Sequence, residues 1–438
     1  MIHTFYDIVL HLAFILLIPY FIFRSISLGK YRSGTAERFG FIAPERLEAL
    51  AGGGGRVVWF HAVSVGETKA VLPLVRLLKE RHPELKVVFS TVTPTGNSVA
   101  EKEGEGLIDS LLYFPVDFSW VVRSVVRRIN PAAFVVVEKE VWPNFVRALK
   151  ERAVPIVVVN GTVSERSFRG YRRFHFLFKD AFASISRFCA RTDEDGRRAL
   201  ELGVPPERMV VAGNIKFDME AKGLGPADAA ELKSSLGLRP DDRVVVAGST
   251  HAGEEEIVLR AFKELREEFQ GLKLVLAPRH PERFDEVESI VRGTGLAFSR
   301  RSAGGGERAG SGRPDVIILD TMGELGRVYG ISTVAFVGGT LVEIGGHNLL
   351  EPALFGKPVV YGPHVNVYLQ MAEMLERAGG VGASKRVSDG EGLKEALREI
   401  LKDGALREKM GKAAAEAVEA NRGATEKVFH IIEGFLEV

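Results

Sequence analysis

Three charged side chains stand where apolar runs of this chain come to an end: Glu67 in HAVSVGET, Glu138 in VVVEKEVWPN and Lys216 in GNIKFDME. Ser64 followed three residues on by Glu67 is a capping box, in which hydroxyl and carboxylate satisfy the free N–H groups of a helix start. The same carboxylate, with Gly66 removing side-chain bulk beside it, has the chemistry of a general base toward an acceptor hydroxyl. The pattern admits both roles, and one residue can hold both in different states. Glu138 and Glu140 are two apart, so they share one side if the strand continues, with Lys139 on the other. They line a ligand cleft or mark a strand ending in solvent. Lys216 is a cation placed for a ligand or an ordinary surface lysine.

A second set of residues repeats one device. Pro278 and Arg279 follow the apolar run LKLVLA, Thr321-Met322-Gly323-Glu324 follows VIIL, and Asn348-Leu349-Leu350-Glu351 follows Gly345-Gly346. Both tetrads read as N-caps with an acid at the third helical position. Free N–H groups at helix starts bind phosphate, so two of them with an arginine nearby suit a nucleotide donor, while capping alone is the plainer explanation of each. No GxxxxGK[ST] occurs, which argues against a P-loop NTPase. His251 and His347 lack metal-ligand spacing and read as structural histidines. The lone Cys189 excludes a disulfide framework or multi-cysteine metal site and fits a reducing compartment. No metal and no cofactor is expected.

The elements that must position these residues are alternating apolar runs and helical patterns. Segments 57–60, 86–90, 111–114, 133–137 and 156–159 read as buried parallel strands, with helices predicted over 68–81 and 142–152. The pattern restarts after Gly213, with strands at 244–247, 272–277, 316–319, 333–337 and 359–361. Residues 223–241 read as a polar linker with a short helix, and 300–314 as a mobile Gly-rich loop. The expected fold is α/β, with two Rossmann-like domains facing a cleft: an anchor at 1–30, a first domain at 31–222 and a second at 223–438. The helical segment 392–421 and the apolar tail 428–438 close the chain and could pack back across the linker. The 438 residues hold 58 Lys+Arg against 57 Asp+Glu, so bulk charge offers no hold on nucleic acid. With 46% hydrophobic and 26% charged residues the chain has the composition of a folded protein. At the front, residues 8–23 read IVLHLAFILLIPYFIF, a borderline length for a membrane span. Arg24, Lys30, Arg32 and Arg38 follow it, which places the rest of the chain on the cytoplasmic side. A docking helix that is apolar throughout is the alternative.

Taken together, HAVSVGET, TVTPTG, EKEVWPN, GNIKFD, STHAGEE, PRHPERF, DTMGEL, FVGGTLVEIGGHN and EPALFGKPVVYGPH closely resemble the 3-deoxy-D-manno-octulosonic acid (Kdo) transferases of lipopolysaccharide synthesis. The resemblance runs in order from the apolar N-terminus to about His364. It implies the two-domain glycosyltransferase B fold and transfer of Kdo from CMP-Kdo to a lipid A precursor such as lipid IVA, on the cytoplasmic side of the inner membrane. It also implies roles: Glu67 as proton acceptor, and Glu138 and Lys216 as transition-state stabilisers. CMP contacts fall to Pro278 and Arg279, to Met322, Gly323 and Glu324, and to Asn348, Leu349, Leu350 and Glu351. Lys139 and Asn160-Gly161-Thr162 depart from the usual pattern, the latter bearing on acceptor contacts. Arg166, Arg169, Arg172 and Arg173, interleaved with Phe168, Tyr171, Phe174 and Phe176, suit a lipid-facing patch or a solvated helix face. The rival classes are a sugar-nucleotide epimerase, which needs no lipid acceptor, and a non-enzymatic membrane scaffold, which has no use for a base at Glu67.

Overall fold

The computed structural model describes residues 2–28, 34–51, 55–218, 224–303, 308–309 and 313–436. Lys30 and Arg32, the 222/223 boundary and much of the 300–314 loop lie outside the described residues. The chain divides into two compact units, Met1–Met219 with Asn421–Val438, and Glu220–Ala420.

In the first unit β1 (Val57–Ala62), β2 (Lys86–Thr91), β3 (Ser110–Tyr113), β4 (Ala133–Val137), β5 (Ile156–Gly161), β6 (Arg187–Ala190) and β7 (Met209–Val211) form one sheet in the order β3-β2-β1-β4-β5-β6-β7. Every pairing is parallel. β1 and β4 are buried throughout, because helices cover both faces and leave no polar alternation. Trp59, Phe134 and Phe145 pack edge to face on one side of the sheet. On the other, Val71, Leu74 and Leu78 of the helix Val65–Arg81 meet Phe60 and Phe89. The sheet order reverses between β1 and β4, and such a switch point leaves a crevice at the carboxyl ends of the two strands.

The last helix, Ala424–Leu436, belongs with this unit although the sequence boundaries assign it to the second domain. Val428, Phe429, Ile432 and Leu436 are buried in the core that holds Phe60 and Phe89. Asp218 accepts hydrogen bonds from the Gly423 and Thr425 N–H groups (2.6 and 2.5 Å), and His82 pairs with Glu433 at 2.8 Å.

The first helix, Ile2–Leu28, is stitched to the same unit by one polar seam. Asp7 accepts from the Ser119 N–H (3.0 Å), the Ser119 hydroxyl (2.7 Å) and the Asn144 amide (2.9 Å), and Tyr6 donates to Asp117 at 3.0 Å. His11 stacks on Phe118 at 4.1 Å. Phe5, Ile8, Leu12, Ile15 and Leu16 remain exposed. Among the described residues no helix is long and apolar enough to cross a membrane.

The second unit holds β8 (Arg243–Thr250), β9 (Leu272–Pro278), β10 (Phe298–Arg300), β11 (Arg308–Ala309), β12 (Val316–Ile318), β13 (Val334–Val337), β14 (Val359–Tyr361) and β15 (Ser384–Arg386). Their order is β11-β10-β12-β9-β8-β13-β14-β15, with only the β10–β11 pair antiparallel. Its order reverses between β8 and β13. The linker's short helix is Pro226–Ser235.

Candidate active site

Each unit carries its predicted residues at the carboxyl ends of its strands. In the first, Glu67 follows β1 and Glu138 follows β4, the two strands that flank the switch point. Ser64 caps the helix Val65–Arg81, its hydroxyl accepting from the Glu67 N–H. The Glu67 carboxylate turns back to accept from the Val63 N–H (2.8 Å) and the Ser64 hydroxyl (3.0 Å). The Ser64 cap therefore forms, while the carboxylate closes back on Val63, one residue before the N–H that a full capping box would use. Partial burial and the negative charges of Glu138 and Glu140 outweigh these hydrogen bonds and push Glu67 up to about 7 from its ordinary 4.5. A carboxyl balanced near neutrality and set on a rigid helix start can accept a proton at working pH. Beside it the space is open: a Cβ added at Gly66 would find only the Ser64 hydroxyl, at 4.0 Å.

β4 does not continue through Glu140. It ends at Val137, and Glu138 adopts φ +66, a left-handed conformation uncommon outside glycine. The two glutamates are brought near Glu67 by this turn and not by strand alternation. Glu138 keeps its N–H on the Val159 carbonyl at 2.9 Å, and its carboxylate pairs with Lys216 Nζ at 2.9 Å. Lys216 is thus neither surface decoration nor a free cation. Its position rests on two asparagines, Asn214, which the sequence reading passed over, and Asn160, which it tied to acceptor contacts. Asn160, left-handed at φ +53, accepts from the Ile215 N–H (3.2 Å), and Asn214 accepts from the Lys216 N–H (3.1 Å). An Asn-Gly pair closing an apolar run was the available signal.

In the second unit Pro278 ends β9, and the Arg279 N–H is held by the Thr250 carbonyl at 3.0 Å while its side chain is exposed. The two tetrads differ. Asn348 stands one position before the cap, which is Leu349, and its side-chain oxygen accepts from the Leu350 N–H at 3.1 Å. Leu349 and Leu350 are fully buried. The other tetrad does not cap: the helix begins at Leu325, and the Glu324 carboxylate is held by Arg301 (2.9 Å) and by the Thr321 hydroxyl. Arg301 keeps Glu324 below the ordinary carboxylate range. Met322 and Gly323 are exposed beside it. Both helices are short, Leu325–Tyr329 and Leu350–Ala353, so little dipole accumulates at their starts.

Glu254 is the organising residue that sequence reasoning missed. Fully buried, its carboxylate accepts from the N–H groups of His251, Gly339, Thr340 and Leu341 at 2.7–2.9 Å, fixing the loop after β13 against β8. His251 and His347 are bonded to each other through Nε2 at 2.8 Å. A cavity of about 820 Å³, lined by Lys233, Arg243 and Lys357 among others, opens at the opposite, amino-terminal end of this sheet and holds none of the predicted residues.

A family model described as 3-Deoxy-D-manno-octulosonic-acid transferase (kdotransferase) matches residues 33–219. The 3-deoxy-D-manno-octulosonic acid transferase of Haemophilus influenzae is 34% identical over 416 residues, which cover 94% of each chain. That of Bordetella pertussis is 33% identical over 387 residues, covering 86% of this chain and 87% of its own. Among solved structures, a glycosyltransferase from Rickettsia africae superposes with a TM-score of 0.59 at 12% identity, covering 88% of this chain and 99% of its own. That likeness speaks to the fold, two Rossmann-like units of the glycosyltransferase B type. By sequence the chain belongs to the 3-deoxy-D-manno-octulosonic acid (Kdo) transferase family, and is a glycosyltransferase.

Proposed function

We propose that this enzyme moves Kdo from CMP-Kdo to a hydroxyl of a lipid A precursor, lipid IVA or a close relative, with inversion, at the cytoplasmic face of the inner membrane. The observation that carries the reading is Glu67: a carboxyl raised to about 7, on a fixed helix start at a switch point, with open space beside it. The acceptor oxygen attacks the anomeric carbon, the bond from that carbon to the CMP phosphate oxygen breaks, and its electron pair leaves with CMP. The hydroxyl proton passes to Glu67. Such general-base help is worth ~10²–10⁴-fold. Glu138 and Lys216, already paired, hold fixed charge near the reacting oxygen and need no reorganisation. Donor contacts fall to Pro278, Arg279, Met322, Gly323, Glu324 and the segment from Asn348 to Glu351.

Support for the membrane face comes from the first helix, whose apolar side stays exposed while its polar seam is docked. Trp120, Phe174 and Phe176 are also exposed large apolar residues of this unit. Arg172 and Arg173 lie over the rings of Phe168 and Phe174, at 5.6 and 5.9 Å, a combination suited to lipid phosphates above an apolar layer.

Mass spectrometry of the lipid after incubation with CMP-Kdo tests the reading. A lipid heavier by Kdo, with CMP released only when acceptor is present, is expected. CMP release without acceptor would overturn it in favour of donor-only chemistry, and absence of all turnover would favour a scaffold.

A further inference from the structure

The C-terminal sheet reverses its strand order between β8 and β13, and ligands of doubly wound sheets bind at the carboxyl ends flanking such a point. Three imidazoles gather there. His251 directly follows β8, His280 follows β9 by one residue beyond Arg279, and His347 ends the loop after β13. The rings of His251 and His347 are parallel to within 5°, bonded Nε2 to Nε2 at 2.8 Å, and His280 meets His251 edge-on at 5.2 Å. The approach depends on Gly339, left-handed at φ +68: a Cβ there would stand 3.0 Å from the His347 ring and 3.4 Å from that of His251. Among the described residues no group of three or more His, Cys, Asp or Glu side chains is placed to hold a metal ion.

We propose that His251 and His347 form a proton-accepting pair that binds the donor's phosphate beside Arg279, taking up a proton as the anion arrives. This rests on the reading that the C-terminal unit holds the CMP donor.

One proton lies in an Nε2–H···Nε2 bond, so in the neutral pair one ring donates and the other accepts. The accepting ring carries its own proton on Nδ1. The donating ring has a bare Nδ1, which can be protonated without breaking the bridge. The donor's phosphate, a diester with one negative charge, would then meet an N–H from each ring and the Arg279 guanidinium, charge-assisted contacts that the second charge of the departing CMP strengthens.

The charges around the pair favour the neutral form until an anion comes. Arg279 and Arg283 face it with positive charge beside the His280 ring, and Glu255 opposes them. Glu255 is already engaged by Arg283 at 2.8 Å, and Glu254 is satisfied by four backbone N–H groups. Burial first, then His251, Arg279 and His280, push His347 down to about 4. His251 is lowered as well, by burial and then by His280. A bound phosphate would offset that positive potential and raise the pair's proton affinity.

The test is titration calorimetry of the full chain with CMP near neutral pH, in two buffers of low and high protonation enthalpy, with cytidine as comparison. The native protein is expected to take up on the order of half a proton or more on binding CMP and none on binding cytidine. Ionisation of CMP itself, whose second phosphate pKa is about 6, would release protons and so carries the opposite sign. His347→Gln should abolish the uptake, flatten the pH dependence of CMP affinity and weaken it roughly tenfold. Buffer-independent heats for the native protein would overturn the proposal even if the variant fails to fold, as would a folded variant that still takes up the proton. A native protein that binds no CMP at all would overturn the donor reading and this proposal with it.

Discussion

The chain uses nearly one tetrad twice, Ser64-Val65-Gly66-Glu67 and Thr321-Met322-Gly323-Glu324, each after an apolar strand, and folds the two copies differently. In the N-terminal unit the serine caps a helix of 17 residues and the acid closes back on the cap. In the C-terminal unit the glycine takes φ +89, the helix starts after the acid, and Arg301 holds the carboxylate. Hydroxyl and acid touch in both. What separates them is the surroundings: burial first, then Glu138 and Glu140, raise Glu67 toward neutrality, and one arginine holds Glu324 as a fixed anion. Local spacing sets the contact, and tertiary neighbours decide whether the acid can exchange a proton.

The largest expected effect tests that division. Gln at position 67 keeps the size and the back-bond of the cap but cannot accept the proton. Glu67→Gln should lower turnover by ~10²-fold or more while CMP affinity stays put. For the native enzyme, kcat/KM should rise with pH and level off above about 7, where Glu67 is ionised. The stability effect has the opposite sign. Because folding raises this pKa from 4.5 to about 7, its contribution is full below 4.5 and is lost as pH rises through 7. Glu67→Gln should therefore gain stability relative to the native protein at pH 8 and not at pH 4. Native-like turnover in a folded variant would reduce Glu67 to a cap.

A smaller effect is expected at the fixed-charge end. Arg279→Ala should weaken CMP binding by ~1.5–3 kcal/mol, the scale of a hydrogen bond to a charged group, with turnover at saturating donor little changed. Equilibrium binding of CMP measures it, and an unchanged dissociation constant removes Arg279 from the donor site.

The same contrast explains what was legible in the sequence. The central strands of both sheets are buried on two faces, and continuous apolar runs such as AFVVV in β4 and IVVV in β5 follow directly from that burial. β6, β7, β10, β11 and β15 escaped notice because they are short or peripheral, and β15 is Ser-Lys-Arg with two of three residues reaching the surface. The cap at Glu67 was legible because it is made within four residues. The grip of Glu254 on Gly339, across 85 positions, leaves no local trace. Nor does the left-handed turn at Glu138, which depends on β5, or the return of the last helix to the first unit, whose apolar face fits either sheet as far as periodicity goes.

The smallest expected effect bears on the open space beside the base. Gly66 sits in the first turn of its helix with ordinary backbone angles, and among the described residues nothing outside its own helix backbone and chain neighbours comes within van der Waals contact of a Cβ placed there except the Ser64 hydroxyl at its limit of 4.0 Å. On folding grounds alone alanine is the better residue, since glycine costs about 0.5–1 kcal/mol in a helix through backbone entropy. Gly66→Ala should therefore raise the melting temperature by roughly one to three degrees. If the acceptor hydroxyl reaches Glu67 through that space, the same methyl group stands in its way. The acceptor KM should then rise several-fold while CMP affinity and the pH profile keep their native form. A variant that is more stable and has an unchanged acceptor KM would move the acceptor to another side of Glu67, leaving the base assignment to stand on Glu67→Gln alone.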